Sequence, residues 1–366
     1  MEKPASAEKP VSCGCGKAPV IALQSPARHR APYVTGYVTA GNRKIPRVST
    51  SLSRADRLGG WKVRWDIGRM SYTILPGLYA VGSPSADSPV LVTANYKLTF
   101  DRLRSQLGGI DAWILVLDTK GINVWCAAGK GTFGTAELIA RAAAVKLEEV
   151  VSHRRLILPQ LGATGVSAPV VRQQSGWQVK YGPVEARDIP AFLSGGSKKD
   201  AAMRTVQFRL PDRMVIAPAE LAHSWPILLG AVAVSGLLAI PFDTGYVVRA
   251  LSLFLPLVGA TLLGTMVVPA LLPFLPFRAF ALKGALLGAL WGIAASFAVH
   301  ASAAGAAALI LLSMPVVSFL SMNFTGSSTF TCQPGAALEV KRGFIPMISS
   351  LVLGLGAGVV ARVLPL

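Results

Sequence analysis

Four cysteines occur in the 366 residues, and one of them lies in a stretch suited to presenting a thiol. Cys126 stands in Asn123-Val124-Trp125-Cys126-Ala127-Ala128-Gly129-Lys130, between an indole and a run of small residues. A thiolate there is a soft donor for a soft metal. The competing reading is a buried cysteine acting as an inert small hydrophobe. Cys13-Gly14-Cys15 offers a second pair of thiols. That pair can hold a soft ion such as Hg(II), but it is half of a usual four-ligand site; otherwise it is a tail with incidental thiols. The four cysteines are too few and too dispersed for a disulfide scaffold, which fits a reducing compartment.

Gly129-Lys130-Gly131-Thr132-Phe133-Gly134 satisfies Gly-x-Gly-x-x-Gly, which invites a dinucleotide assignment. That fingerprint follows its strand immediately, whereas about a dozen residues separate Leu117 from Gly129 here, so the assignment is declined. Glycines at these positions let backbone pass close to a flat ligand and to the next helix.

The elements that must position Cys126 read as βα units. Short apolar strands are expected at Val90 to Thr93, Ala112 to Leu117, Leu156 to Leu158 and Gln178 to Tyr181. Helices are expected at Leu98 to Leu107, Thr135 to Val151 and Asp188 to Leu193. Upstream, Trp61, Val63, Trp65 and Ile67 alternate with polar residues after Gly59-Gly60. That period predicts a half-buried strand, with Tyr72 to Leu75 as its partner. Alternating strands and helices predict a mostly parallel, Rossmann-like sheet covered on both faces. Ligands of such sheets bind beyond the carboxyl ends of the strands. Thr93-Ala94-Asn95-Tyr96, Asp118 to Cys126 and Pro159-Gln160-Leu161-Gly162-Ala163 leave three such ends and are expected to converge on one pocket.

The rest of the chain is of a different kind. Of 36 Lys and Arg and 18 Asp and Glu, residues 221–366 hold only 6 and 2. Five transmembrane spans are expected there, at about Ala222 to Ile240, Ala250 to Val268, Ala281 to Val299, Ala303 to Met322 and Phe344 to Leu364, each long enough for the hydrocarbon core. The expected organisation is therefore a disordered leader (1–32), an α/β domain (33–195), a polar linker (196–221) and an all-α five-helix transmembrane domain (222–366). With no signal-peptide core at the N-terminus, and with Lys341 and Arg342 before the last span, the α/β domain is expected in the cytoplasm and the C-terminus outside. The net charge of +18 is scattered without a nucleic-acid motif. It points to an anionic leaflet or an acidic partner protein rather than nucleic acid.

The octapeptide around Cys126 resembles the cap-helix motif of the HgcA family, the membrane corrinoid protein of microbial mercury methylation. Leu78-Tyr79-Ala80-Val81-Gly82, Val90 to Tyr96, Tyr181-Gly182-Pro183 and Met322-Asn323-Phe324-Thr325-Gly326-Ser327-Ser328-Thr329-Phe330-Thr331 extend the likeness. The α/β domain is also similar to the corrinoid-binding domain of the large subunit of the corrinoid iron-sulfur protein. One departure is Pro169, where the family is expected to carry His; Cys332 is a second.

The resemblance implies a cobalamin or related corrinoid, methylated at cobalt, with Cys126 as the ligand of that cobalt. It implies a cofactor site formed by Thr93, Ala94, Asn95, Asn123, Val124, Trp125, Cys126, Ala127, Ala128, Gly129, Lys130, Gly131, Gln160 and Gly162. The implied activity is methyl transfer from cobalt to Hg(II), since thiolate donation eases departure of the methyl group with its electron pair. The implied partners are a ferredoxin-like protein with two [4Fe-4S] clusters as reductant and a methyl-folate dependent donor. No four-cysteine set is present for an iron-sulfur cluster of the chain's own. Two alternatives stand beside this reading: a corrinoid methyl carrier in a one-carbon pathway of the acetyl-CoA type, and a membrane transporter or sensor with a ligand-binding domain. The near absence of intramembrane charge speaks against the transporter.

Overall fold

A computed structural model describes residues 31–240, 245–331 and 333–363. Cys13, Cys15, Cys332 and nearly all of the expected leader lie outside them. The chain divides into two compact units, Met1–Asp56 with Met70–Arg204, and Arg57–Arg69 with Thr205–Leu366.

The first unit is built on a seven-stranded mixed sheet. Its elements in chain order are β1 (Val34–Ala40), β2 (Arg43–Val48), β3 (Gly77–Val81), β4 (Val90–Ala94), α2 (Lys97–Arg104), β5 (Ala112–Leu117), α3 (Val124–Gly129), α4 (Thr135–Ala144), β6 (Arg155–Leu158), α5 (Ala168–Ser175), β7 (Gln178–Tyr181) and α6 (Ile189–Ser194); α1 (Arg54–Arg64), between β2 and β3 in sequence, belongs from Arg57 onward to the second unit. The strand order is β1-β2-β3-β5-β4-β6-β7. Strands β5, β4, β6 and β7 run parallel, while β3 lies antiparallel against β5. Within the parallel part, the first strand in chain order is flanked by the second and third, the order of flavodoxin-like sheets, whose ligand crevice opens where the connections part to opposite faces.

Both faces are covered, as the apolar runs required. One core joins Val92, Leu115 and Leu156 to Ala127, Leu138 and Val171 of α3, α4 and α5. The other joins Leu91 and Ile114 to Phe100 and Leu103 of α2 and Ile189 of α6.

The strand expected at Trp61 to Ile67 is instead the end of α1 and the turn after it. Ser53 and Asp56 form a reciprocal cap: the Asp56 N–H donates to Ser53 Oγ (3.1 Å) and the Ser53 N–H to Asp56 Oδ2 (3.0 Å). That start signal lies upstream of the alternating residues. Of these only Val63 is buried, while Trp61 and Ile67 are exposed, so the alternation reports no sheet face. Tyr72 to Leu75 pairs with no such strand; it contributes one isolated bridge, Thr73 to Tyr96. The helix expected to run to Val151 stops at Ala144, because Lys146 takes a left-handed conformation at φ 45°. The β1–β2 hairpin is an addition to the elements expected from the sequence.

The second unit is helical: α7 (Leu210–Met214), α8 (Ala217–His223), α9 (Trp225–Ala239), α10 (Tyr246–Leu262) continued through a π-turn at Leu263–Val267 into α11 (Val268–Leu271), α12 (Phe280–Ala298), α13 (Ala303–Asn323) and α14 (Gln333–Val363). Among the described residues four helices are long and apolar enough to cross a membrane: Tyr246–Leu271, Phe280–Ala298, Ala303–Asn323 and Pro334–Ala361. The fifth expected span, Ala222 to Ile240, holds a helix of only 15 residues. At 1.5 Å per residue that is roughly 22 Å, short of a core of about 30 Å. It reaches a spanning length only together with Leu210–His223, from which it is bent by 50°. The segment expected as a polar linker, 196–221, thus contains helices.

Candidate functional site

Asn123 caps α3, its Oδ1 accepting from the Cys126 N–H at 3.0 Å. The cap fixes the first turn. Val124, Ala127 and Ala128, at i, i+3 and i+4, then bury one side of the helix in the core that also holds Ala94, Leu117, Leu158 and Val166. The remaining side carries Trp125, Cys126 and Gly129, all exposed, and Cys126 is a free thiol. The reading of Cys126 as an inert core residue fails on that exposure.

The loops at the strand ends are tied together by side chains that do not themselves reach the open side. Asn95 Oδ1, just after β4, accepts from the Thr119 N–H (3.1 Å), the Thr119 Oγ1 hydroxyl (2.8 Å) and the Gly121 N–H (3.0 Å). Left-handed backbone at Lys120 and Gly121 turns the chain around that oxygen. Glu137 Oε1, on α4, accepts from the Asp118 N–H at 2.8 Å and is held by Arg141 at 2.8 Å. Burial alone would raise the Asp118 carboxyl, but the Lys120 ammonium and backbone N–H beside it hold it below its ordinary range. From the β6 side, Gly165 abuts α3 so closely that a Cβ there would stand 2.9 Å from Ala128 Cα and 2.2 Å from Phe133 O. A Cβ on Gly162 would meet the Phe133 ring at 2.6 Å.

The fourteen candidate residues therefore sort by position. Thr93, Ala94, Asn95, Val124, Ala127, Ala128 and Gly162 are buried framework. Asn123 and Gln160 are half-buried, the latter accepting from the Lys199 ammonium. Trp125, Cys126, Gly129, Lys130 and Gly131 face solvent. Cβ atoms added at Gly129 and Gly131 would meet nothing within 4 Å, so the backbone there is open to approach, in contrast to the packed Gly134, Gly162 and Gly165. The Gly-x-Gly-x-x-Gly stretch spans the end of α3 and the cap of α4 rather than a strand-to-helix turn. Pro169 sits in the first turn of α5, where no backbone N–H is needed, so the helix accommodates it. The tying roles of Asn95, Glu137 and Gly165 were not foreseen; an Asn at a strand's carboxyl end facing a Thr-Lys-Gly turn was the available signal.

Among the described residues no group of three or more His, Cys, Asp and Glu side chains could hold a metal ion. A lone exposed thiol does not make a bare-metal site. It does fit a single-ligand role toward a metal whose other ligands arrive with a macrocycle, and the open backbone at Gly129 and Gly131 fits a flat group.

The α/β part of the chain is similar in sequence to proteins of the acetyl-CoA synthase and corrinoid/iron-sulfur class. A family profile described as the CO dehydrogenase/acetyl-CoA synthase delta subunit matches residues 69–193. The acetyl-CoA decarbonylase/synthase complex subunit gamma of Archaeoglobus fulgidus is 35% identical over 127 residues, 34% of this chain and 27% of that protein. Its Methanosarcina acetivorans counterpart is 38% identical over 122 residues, 32% and 25% of the two chains. The corrinoid/iron-sulfur protein large subunit of Moorella thermoacetica is 33% identical over 117 residues, 31% and 26% of the two. The chain spans about a quarter of the length of the curated relatives it matches.

Proposed function

We propose that the α/β unit holds a corrinoid against the open side of α3 and that the chain acts in corrinoid-dependent methyl transfer at a membrane, with Hg(II) as the acceptor. The observation that carries the reading is Cys126: an exposed, unpaired thiol on a short capped helix at the carboxyl edge of a sheet that is similar in sequence to a corrinoid/iron-sulfur protein. When bound, the cofactor supplies a metal-carried methyl group. Cys126 Sγ offers that metal a soft donor. Asn123 and the buried Val124, Ala127 and Ala128 fix where the sulfur stands, and Gly129 and Gly131 leave room for a flat ring edge. Asn95, through Thr119 and Gly121, keeps the loop before α3 in register.

The names of the relatives support the broader alternative, a methyl carrier in a one-carbon pathway of the acetyl-CoA type. Hg(II) is favoured by the thiolate itself: a soft acceptor requires the methyl group with its electron pair, and strong donation from sulfur promotes that mode of departure. A ferredoxin-like reductant with two [4Fe-4S] clusters and a methyl-folate dependent donor belong to the same proposal.

The orientation is also proposed. The α12–α13 hairpin and Glu339, which accepts from the Phe280 and Ala281 N–H groups, put Arg278, Lys341 and Arg342 on the side of the helical unit where α13 ends. The positive-inside rule makes that side cytoplasmic. With α8–α9 as a fifth crossing, the C-terminus lies outside.

The test is anaerobic reconstitution of the full-length protein with cobalamin, followed by methylmercury yield per bound corrinoid. Wild-type protein is expected to show a base-off spectrum with a thiolate-dependent feature. Cys126→Ala should retain much of the bound corrinoid yet lose methylmercury formation. Absence of bound corrinoid would overturn the proposal; near-normal yield from Cys126→Ala would leave the carbon-pathway carrier as the better reading.

A further inference from the structure

The stretch Arg57–Arg69 groups with the helical unit, not with the sheet that surrounds it in sequence. It combines two features that a protein rarely leaves in water together. Leu58, Trp61 and Ile67 are 53%, 54% and 57% exposed, with Trp65 against Trp61 at a ring separation of 6.0 Å. Around them stand Arg57, Lys62, Arg64 and Arg69, against the single carboxylate of Asp66. That carboxylate is engaged: its Oδ2 meets His223 Nε2 at 2.8 Å.

The Asp66–His223 contact also fixes the level of the stretch. His223 ends α8, and α9 begins two residues later with Trp225, itself 61% exposed. One turn before His223, Glu220 Oε2 accepts from Asn323 Nδ2 at 3.0 Å, and Asn323 is the last residue of α13. The turn at Asp66 thus lies where one apolar helix begins and another ends. That is the height of a bilayer's headgroup layer, where indoles and the long stems of Lys and Arg are most stable.

We infer that Arg57–Arg69 is an interfacial element that seats Trp61 and its apolar neighbours in an anionic phospholipid surface, with Arg57, Lys62 and Arg69 among the headgroup phosphates. Charge complementarity selects the occupant. Four cations with their one carboxylate already paired match a surface of negative charge, whereas an apolar protein groove leaves them without partners. The inference rests on the membrane reading of the helices and is independent of the corrinoid reading.

The experiment uses the full-length protein in vesicles of phosphatidylcholine alone or mixed equally with phosphatidylglycerol, with lipids brominated near the top of the acyl chains. The contribution of the pair is read as the difference in tryptophan quenching between wild type and Trp61→Phe/Trp65→Phe. Quenching of that contribution is expected to be at least about twofold stronger with phosphatidylglycerol, the charge term of an interfacial segment. Arg57→Gln/Lys62→Gln/Arg69→Gln should remove the difference. Equal quenching in both lipids, or none, overturns the inference. So does protection of Trp61 from an aqueous quencher that rises with protein concentration in detergent, which assigns the face to a second copy. Quenching of the remaining tryptophans, Trp225 and Trp291 among them, is the internal control. If it too vanishes, the membrane reading itself has failed.

Discussion

The two units bury cations by opposite means. In the α/β unit Arg104 is fully buried and Lys97 nearly so. Both are closed in a quartet with Asp56 and Asp101: Arg104 Nη2 to Asp56 at 2.9 Å and Nε to Asp101 at 2.8 Å, Lys97 Nζ to the same carboxylates at 2.5 and 2.6 Å. In the helical unit Lys283 and Arg213, 4% and 9% exposed, donate to backbone carbonyls, Lys283 to Leu272 O (2.8 Å) and Arg213 to Ala270 O (3.0 Å). Lys283 also lies over the Phe280 and Phe330 rings. The reason is supply. The α/β unit is rich in carboxylates, whereas those of the helical unit among the described residues are few and already engaged: Asp66 with His223, Asp212 with the Arg209 N–H, Glu220 with Asn323, and Glu339 with the first turn of α12. Carbonyls left over at a helix end, near the negative end of its dipole, are the donors' natural partners there. A quartet of full charges and a cation on a dipole should therefore fail very differently when one member is removed.

The largest effect is expected at Arg104. Arg104→Met removes one of two cations from two buried carboxylates and takes the guanidinium donor from Ser49 O; Ser51 O keeps the Ser49 hydroxyl as a donor. Stripping one partner from a buried pair costs about 3–5 kcal/mol. The measurement is the thermal midpoint of the full-length protein, followed by proteolysis of the α/β unit. A change below about 1 kcal/mol would place the quartet among weak surface pairs.

The same quartet has a pH signature. Burial opposes the charge on Asp56, but Lys97 and the Ser53 donors outweigh it and hold the carboxyl well below its ordinary range. Burial likewise opposes the Lys97 charge, and the Asp101 and Asp56 carboxylates outweigh it and push the ammonium up. A lowered acid contributes stability above its unfolded pKa, about 3.9, and loses it as pH falls through the folded value. A raised base contributes below its unfolded pKa, about 10.4, and loses it as pH rises through the folded value. The gap in midpoint between wild type and Arg104→Met should therefore be flat from about pH 5 to pH 9 and narrow in stronger acid, where protonation relieves the variant's unpaired carboxylates.

A smaller loss is expected where backbones touch. Gly165 in the α/β unit and Gly292 in the helical unit both sit against backbone: a Cβ would stand 2.9 Å from Ala128 Cα in the first case and 2.5 Å from Ile310 Cα in the second. Overpacking of this kind costs about 1–3 kcal/mol. Gly165→Ala should in addition shift α3 and weaken corrinoid binding. Gly292→Ala should part α12 from α13 and leave binding unchanged. Equal effects on binding would mean that α3 is not positioned from the β6 side.

How much was legible in the sequence follows the same division. Strands β4 and β5 announced themselves because burial on both faces makes each one a short apolar run, Val90 to Ala94 and Ala112 to Leu117, whereas β6 keeps only its last three residues apolar and β7 only the alternation of Val179 and Tyr181 with Gln178 and Lys180. The long apolar helices did so because an uncharged run of bilayer length exceeds what a strand or an ordinary core helix requires. The β1–β2 hairpin was silent, since Arg43, Lys44 and Arg47 in β2 leave no apolar alternation to read. Helix α1 was misread because Trp61, Val63, Trp65 and Ile67 mimic a strand, while the cap at Ser53 that decides the matter lies upstream. At the site, Cys126 and its neighbours were visible as a motif. The dependence of α3 on Asn95 and Gly165 was not, because it runs through contacts between residues far apart in sequence.

The smallest effect is expected at Lys283, and it is the sharpest test of the contrast. Lys283→Met keeps an apolar side chain of similar length and removes the ammonium, with its contacts to the Phe280 and Phe330 rings. What remains unpaired is one carbonyl, Leu272 O, at a helix end, with no charged group stranded by the change. Hydrogen bonds between helices in membranes are worth about 0.6 kcal/mol on average, so a loss of roughly 0.5–1 kcal/mol is expected, against several for the analogous removal of Arg104. The comparison uses one detergent and one readout, the thermal midpoint, so that only the identity of the partner differs. A loss at Lys283 as large as that at Arg104 would mean that the ammonium is held by more than carbonyl and ring, and that the helical unit also depends on a full counter-charge.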